Sequence, residues 1–183
     1  MATSNENCPI LQALCLLNSL VDTHLDAGMF SDASIDAALP DNFKLSLRDA
    51  DTYIPVETAE PVITAKRSAI QTAPIVAKGN DKGAIQVRLT TSMTYTVSTI
   101  SKPMTEAICG ELLGYIWSIS RLLHAQSCFT KGISISEIQH DHKGHADYYV
   151  AAVTVSLESG VWWKREIPST ILREVGVSSI DIQ

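Results

Sequence analysis

Aromatic side chains are scarce in this 183-residue sequence, at 6% of its residues. Proteins that bind single strands of nucleic acid rely on such rings to stack the bases. Basic residues are few as well, because 14 Lys and Arg stand against 20 Asp and Glu, for a formal net charge of −6. They are scattered, adjacent only at Lys66-Arg67 and Lys164-Arg165, and form no stripe that could neutralise a run of phosphates. The composition therefore argues against sequence-specific binding of nucleic acid.

Cysteine pairs and nucleophile motifs are also missing. No CxxC motif is present, and no GxSxG elbow precedes a helical pattern. Three of the four cysteines lie within or beside apolar helical patterns, where a reduced thiol acts as a small hydrophobe. We therefore expect a reducing compartment and a protein that is not an enzyme, with no catalytic residue and no cofactor. The cysteines are Cys8, Cys15, Cys109 and Cys128.

The N-terminal region lacks the features of a leader. It is acidic where a secretory signal is basic, and Gln12, Asn18 and Asp22 interrupt the apolar stretch that follows. We expect neither a signal peptide nor a membrane span. Hydrophobic residues make up 45% of the chain and charged residues 19%, and no linker divides it. This composition predicts one domain over residues 1–183, with a core of its own.

Two helices are predicted near the N-terminus. The first runs from Pro9 to about Ala27, with Gly28 as its terminator. Its apolar residues recur at spacings of three and four, which predicts a buried stripe of Ile10, Leu14, Leu17, Val21 and Leu25. A short second helix is predicted from Asp32 to Leu39, capped by Ser31 and stopped by Pro40.

The strongest pattern is a long alternating strand, Ile85 to Thr99. Its odd-numbered residues from 85 to 97 are mostly apolar, and the residues between them are mostly Thr and Ser. This alternation predicts a strand with one buried face. Since it would span about 45 Å, we expect it to bend at a bulge or to extend past its own sheet toward a neighbour.

An amphipathic helix is predicted after this strand, capped by Ser101 or Lys102 and opening at Pro103. Its apolar residues form one continuous face that must cover the sheet, with Glu106 and Glu111 elsewhere. Gly110 and Gly114 indicate a close backbone approach, more often to the domain's own strand than to a partner helix. The predicted apolar face consists of Met104, Ile108, Leu112, Tyr115, Ile116, Ile119, Leu122 and Leu123.

The rest of the chain has weaker patterns. Residues 41–83 lack strong periodicity and suggest an extended insertion or arm. Ile133 and Ile135 begin a strand that forms a hairpin with Ala151 to Leu157, across a polar turn from His140 to Asp147. A turn is predicted at Ser159-Gly160, before the adjacent Trp162 and Trp163, which would point to opposite faces. We also predict a short helix at about 170–175 and a C-terminal arm over 177–183.

The polar turn holds the one candidate metal site, His140, His142 and His145, with Asp147 close by. Imidazoles at this spacing can converge on one ion. The run resembles the HxHxDH motif of metallo-β-lactamase-like hydrolases, although Gly144 replaces a metal-binding Asp and a strand rather than a helix follows. We expect a solvated hairpin tip with no bound metal. A small metal-dependent enzyme that uses this cluster stays open as an alternative.

These patterns predict an α+β fold, a small and mainly antiparallel sheet with a central amphipathic helix packed on one face and an additional N-terminal helix. In element order, size and acidity, most of residues 9–176 resembles phage tail-terminator and related neck proteins. The resemblance implies a virion subunit, assembled in the host cytoplasm as a homo-oligomeric, hexameric ring joined through sheet edges and arms. Tail tube, sheath or connector proteins would be its neighbours, DNA would pass through an acidic lumen, and no membrane would be involved. Another homo-oligomeric structural or adaptor protein is the alternative.

Overall fold

The computed structural model describes residues 8–39, 44–53, 60–75, 84–125, 127–143 and 146–164. Within these ranges the chain forms three helices and seven strands. The helices are α1 (Pro9–Ala27), α2 (Ala33–Ala38) and α3 (Lys102–Ala125). The strands are β1 (Leu47–Asp49), β2 (Val62–Arg67), β3 (Gln71–Ile75), β4 (Ala84–Thr99), β5 (Cys128–Ile135), β6 (Gln139–Lys143) and β7 (Ala146–Lys164).

All described strands belong to one sheet, in the order β1-β2-β4-β7-β5. Strand β3 pairs with β4 beyond the end of β2, and β6 pairs with β7 beyond the end of β5. Only β1 and β2 run parallel, and every other pair is antiparallel. The predicted α+β fold, with a mainly antiparallel sheet, an N-terminal helix and a central helix packed on it, is confirmed.

The centre of the sheet is the pairing of β4 with β7. It runs without a register shift from Ala84 opposite Lys164 to Thr99 opposite Tyr149. The long strand is therefore as predicted, but the expectation that it would bend at a bulge or leave its sheet is wrong, because β7 is longer still. The predicted turn at Ser159-Gly160 is wrong for the same reason, since both residues pair with β4 inside β7.

The core lies between one face of this sheet and the helices α1 and α3. Alternate residues of β4 and β7 are buried against helical side chains, as the strand pattern predicts. The α1 stripe is buried as predicted, and so is most of the α3 face, although Tyr115 is only partly buried and Leu122 is 51% exposed. The largest fully buried side chains include Tyr95, Ile10, Leu17, Leu25, Ile63, Ile108, Leu112, Ile116 and Leu157.

The expected close approach at Gly110 and Gly114 is wrong. Both glycines are exposed, and a Cβ atom added to either would meet nothing within 4 Å. They lie on the side of α3 that faces away from the sheet, because the buried positions of the helix, such as Leu112 and Ile116, occupy the opposite side. On that side, the backbone of α3 is exposed at Gly110 and Gly114.

The helix ends follow local chemistry. Helix α1 ends at Gly28, whose φ of 63° lies in the left-handed region that glycine adopts without a Cβ penalty. The cap of α2 is Asp32 rather than the predicted Ser31, because an Asp32 carboxylate oxygen accepts the Ser34 amide at 2.9 Å. Hydrogen bonds from Ser34 lower the pKa of Asp32.

Two of the weak patterns form regular structure. Residues 41–83 suggested an extended arm, and their described parts contribute β1, β2 and β3 to the sheet. Much of the predicted polar turn is strand, because Gln139–Lys143 pairs with Ala146–Val150. The short helix near 170–175, the arm over 177–183, His145 and the side chains of His142, Trp162 and Trp163 lie outside the described residues. No helix in the described ranges is long and apolar enough to cross a membrane.

Candidate functional site

The carboxylate of Glu111, near the middle of α3, forms hydrogen bonds to two other parts of the chain. One oxygen lies 2.8 Å from Nε2 of His24, and the other accepts the backbone amide of Ser31 at 2.9 Å. The His24 and Glu111 side chains are 13% and 6% exposed. The carboxylate thus joins the last turns of α1, the loop before α2 and α3 at one point, screened from water.

Aromatic rings enclose the imidazole of His24. The Tyr115 ring stacks on it, with centroids 3.8 Å apart and planes 6° apart, and Phe30 meets it edge-on at 6.0 Å. The Tyr115 hydroxyl donates to the Leu20 carbonyl at 3.1 Å, which fixes the ring. The stacked ring and the carboxylate hold the imidazole in one orientation. This arrangement stabilises the packing of α1 on α3. Among the described residues, no serine or cysteine side chain is hydrogen-bonded to His24.

Two open grooves flank the helices. One, of about 920 Å³, lies beside α3 and is lined by His24, Glu111, Gly110, Gly114 and residues 31–34, among others. The other, of about 630 Å³, lies between α1 and strands β1 and β2, where Cys15 is exposed near Arg48 and Arg67. Both grooves are shallow and mix charged with apolar lining. The second groove gathers carboxylate and guanidinium groups on an open surface, from Asp22, Asp49, Asp51, Arg48 and Arg67.

The candidate metal site at the polar turn is only partly described. His140 Nε2 lies 3.3 Å from a carboxylate oxygen of Asp147, and both side chains are more than half exposed. The His140 ring also lies 5.3 Å from the ring of Tyr149. Within the ranges that the structure describes, no three His, Cys, Asp or Glu residues are grouped so as to hold a metal ion. The described part of this site is therefore an exposed contact between the His140 imidazole and the Asp147 carboxylate on a strand ladder.

Burial holds two of the thiols in the protonated form. Burial disfavours the thiolate and raises the pKa of Cys109 and of Cys128 to about 11. All four cysteines are unpaired, and Cys15, expected to act as a small hydrophobe, is exposed. A nucleophilic role for Cys109 or Cys128 would require ionisation inside the core.

The edge strand β5 carries large exposed apolar side chains. Phe129 is 52% exposed and Ile135 is 42% exposed, and β5 ends the sheet with β7 on one side only among the described strands. A bulge between Thr130 and Gly132 interrupts its register, after which the pairing with β7 is regular through Ile135. The Thr130 hydroxyl is buried without a hydrogen-bond partner in the described structure. Edges of this kind offer unpaired backbone groups to another chain.

The face of the sheet opposite the helices is lined with hydroxyl groups. The residues of β4 that alternate with the buried ones are half-buried or exposed, and Thr94 lies 3.2 Å from Thr154 of β7 through their hydroxyl oxygens. At one end, Glu158 lies between Arg88 at 3.5 Å and Lys131 at 3.2 Å. This hydroxyl face comprises Thr64, Thr90, Ser92, Thr94, Thr96, Ser98, Thr154 and Ser156.

The chain matches no protein-family model, and comparison with curated proteins finds no significant similarity. The class that the structure itself defines is an α+β protein with one mainly antiparallel sheet, helices on one of its faces and an apolar sheet edge.

Sequence reasoning missed the polar residues that join the elements. The apolar pattern of α3 leaves Glu111 off the packed face, and in α1 Asn18 and Asp22 only interrupt an apolar stretch. In the structure Asn18 accepts the Tyr95 hydroxyl at 2.9 Å and Asp22 accepts the Leu47 amide at 2.9 Å. Their positions could have indicated these contacts, because each of these polar residues lies next to apolar positions on its helix. A side chain there can reach a neighbouring element.

Proposed function

We propose that this chain is a non-catalytic structural subunit that assembles with copies of itself into a ring, as the resemblance to phage tail-terminator and neck proteins implies. The observation that carries the proposal is the β5 edge, which among the described strands is paired on one side only and which exposes the side chains of Phe129 and Ile135. The two side chains lie on opposite faces of the sheet, since Phe129 pairs with Glu158 and Ile135 with the buried Val153. Exposed apolar groups along an unpaired strand favour contact with another chain.

The difference between the two edges of the sheet supports a ring of copies rather than a dimer. One edge is β5, and the opposite edge is formed by β1 and β3, which differ from β5 in length and sequence. A contact between β5 of one copy and the opposite edge of the next is heterologous, and such contacts generate closed rings when the rotation between copies permits. The regular ladder from Gly132 to Ile135 is the part of β5 suited to receive the neighbouring strand.

The negative charge of the chain fits this role. A ring of subunits that each carry a net charge of −6 is negative overall, and such a charge disfavours adhesion of DNA phosphates. In this proposal the ring belongs to a virion and is assembled in the host cytoplasm, with tail tube, sheath or connector proteins as neighbours. A hexamer is the stoichiometry that the resemblance implies.

The test is light scattering after size exclusion, combined with negative-stain images of the full chain at micromolar concentrations. We expect ring-shaped particles of the unaltered protein. Phe129→Lys and Ile135→Lys should abolish them, because a charge at either position must be desolvated in the contact. Met29→Lys is the matched control, since Met29 is an exposed apolar residue away from the edge, and its rings should persist.

Two results would refute the proposal. One is an unaltered protein that stays monomeric at every concentration and also in the presence of tail or connector proteins. The other is a ring that survives both lysine substitutions on β5, which would move the contact elsewhere on the molecule.

A further inference from the structure

The outward side of α3 carries an exposed row of residues whose order is complementary to itself. Along the helix it runs Glu106, Gly110, Gly114, Trp117 and Arg121. All five are exposed, and the Trp117 side chain is 69% exposed. Spacings of three and four residues place them on one side of a helix. We call these five residues the α3 row.

The charges at the two ends of the α3 row are opposite and equally far from its middle. Glu106 lies near the N-terminal end and Arg121 near the C-terminal end, about 22 Å apart along the axis at the rise of an α-helix. Neither residue forms an ion pair within the described part of the chain. When a second α3 lies antiparallel across the midpoint, each Glu106 faces the Arg121 of the other copy.

The same antiparallel register matches shape as well as charge. It places Trp117 of each copy opposite Gly110 of the other, because both lie equally far from the midpoint, between residues 113 and 114. A Cβ atom at Gly110 would meet nothing within 4 Å, and Gly110 borders the groove of about 920 Å³ beside α3. The indole therefore has open space to fill, and a buried aromatic ring is the usual anchor of an interface.

We propose that the α3 row is a two-fold contact between two copies of this chain, with the α3 helices antiparallel and each Trp117 seated at Gly110 of the other copy. The contact is isologous, so one patch supplies both sides. It does not rest on the proposed ring: sheet edges would join copies around a ring, whereas α3 would join copies in pairs.

The area available indicates a weak pairing. Burial of the two indoles contributes on the order of 300 Å² in total, and the rest of the row adds small side chains and two exposed ion pairs. Stable complexes bury about 1,600 Å². We therefore expect a monomer–dimer equilibrium that depends on protein concentration, and that weakens as salt screens the Glu106 and Arg121 charges.

Charge reversal is the sharpest test, with sedimentation equilibrium of the full chain as the readout. Glu106→Arg places arginine against arginine, and Arg121→Glu places glutamate against glutamate, so each should weaken dimerisation about tenfold or more. The double variant E106R/R121E restores opposite charges and should bring the dissociation constant close to that of the unaltered protein. Lys44→Glu reverses an exposed charge that pairs with Asp26 on α1, and should have no effect.

Two further variants separate assembly from folding. Gly110→Leu should abolish the dimer without lowering the melting temperature, because the added side chain projects into open space and leucine favours helix more than glycine does. Trp117→Ala should weaken the dimer, whereas Leu122→Ala should not, since Leu122 is half exposed on the same helix but lies off the row.

Several outcomes would overturn the proposal. They are an unaltered protein with no concentration-dependent dimer or pairwise contact, a contact unaffected by Gly110→Leu, and a double charge variant no better than the single ones. The last result would indicate a parallel helix pair or a different partner. If rings form and pair through α3, the α3 variants should reduce the particle mass by half and leave single rings. If the ring proposal alone fails, the protein should still form an α3 dimer, and Phe129→Lys should not change its dissociation constant.

Discussion

Nε2 of His24 lies 2.8 Å from Oε1 of Glu111, although 87 residues separate them in the chain. The contact joins the last turns of α1 to the middle of α3, and the second carboxylate oxygen of Glu111 also holds the Ser31 amide. A buried polar group destabilises a fold unless its hydrogen bonds are made, so this junction depends on all three partners.

Removing this carboxylate should be costly. Glu111→Ala leaves the His24 ring nitrogen and the Ser31 amide without their partner, and we expect the free energy of unfolding to fall by about 2–3 kcal/mol in urea denaturation. Glu111→Gln keeps an acceptor for Ser31 and should cost less. Glu106→Gln changes an exposed glutamate on the same helix, and at protein concentrations too low for contact between copies it should change stability by no more than about 0.5 kcal/mol. Equal losses for Glu111→Ala and Glu106→Gln would contradict this account.

The Tyr95 hydroxyl should stabilise the packing of α1 on the sheet. It is buried and donates to Oδ1 of Asn18 at 2.9 Å. We expect Tyr95→Phe to lower the free energy of unfolding by about 1 kcal/mol, and a double-mutant cycle with Asn18→Ala to show coupling of similar size. Tyr53→Phe is the control, because the Tyr53 hydroxyl has no hydrogen-bond partner in the described residues. A cycle with no coupling would show that the bond contributes nothing.

Two glycines should respond to alanine in opposite directions. Gly28 has a φ of 63°, which a side chain disfavours, so Gly28→Ala should destabilise the protein by about 1 kcal/mol. Gly110 lies in a regular helix with open space around it, so Gly110→Ala should stabilise the monomer by up to about 1 kcal/mol. Thermal denaturation of both variants at low concentration measures the contrast. A stabilising Gly28→Ala would be inconsistent with the left-handed helix end.

Alkaline solution should destabilise the fold. Burial raises the pKa of Cys109 and Cys128 to about 11, and it also raises the pKa of Tyr95. Above pH 9 the unfolded chain loses thiol protons that the folded chain retains, so stability is complete below pH 9 and declines through pH 11. We expect a loss of roughly 2 kcal/mol per thiol at the upper end, measured by urea denaturation at several pH values. The variant C109A/C128A should show a shallower decline, and identical pH profiles would disprove the assignment.

Strand and helix faces were predictable because they repeat along the chain. The alternation from Ile85 to Thr99 predicted the buried face of β4, which the structure confirms from Leu89 to Val97, with Val87 partly buried and the Ile85 side chain outside the described residues. The buried stripe of α1 is confirmed as well. The predicted turn at Ser159-Gly160 is wrong, although these residues alone favour a turn. Strand β7 pairs with β4 on one side, and with β5 as far as Ser159 on the other, and this pairing keeps it extended. The predicted cap of α2 is wrong by one residue. Ser31 and Asp32 are both favourable cap residues, and only backbone geometry selects between them.

The sequence by itself determined the secondary structure that periodicity encodes, the α+β class and the absence of a recognisable nucleophile motif. Only the tertiary structure decided where the polar residues of the helices go. The Glu111 carboxylate, Asn18 and Asp22 gain partners from distant parts of the chain, and the sequence does not specify those distances. The same holds for Gly110 and Gly114, which became an open strip because the sheet takes the opposite side of α3. Burial of one helix face is a local pattern, but what meets the other face depends on how the whole chain is arranged in space.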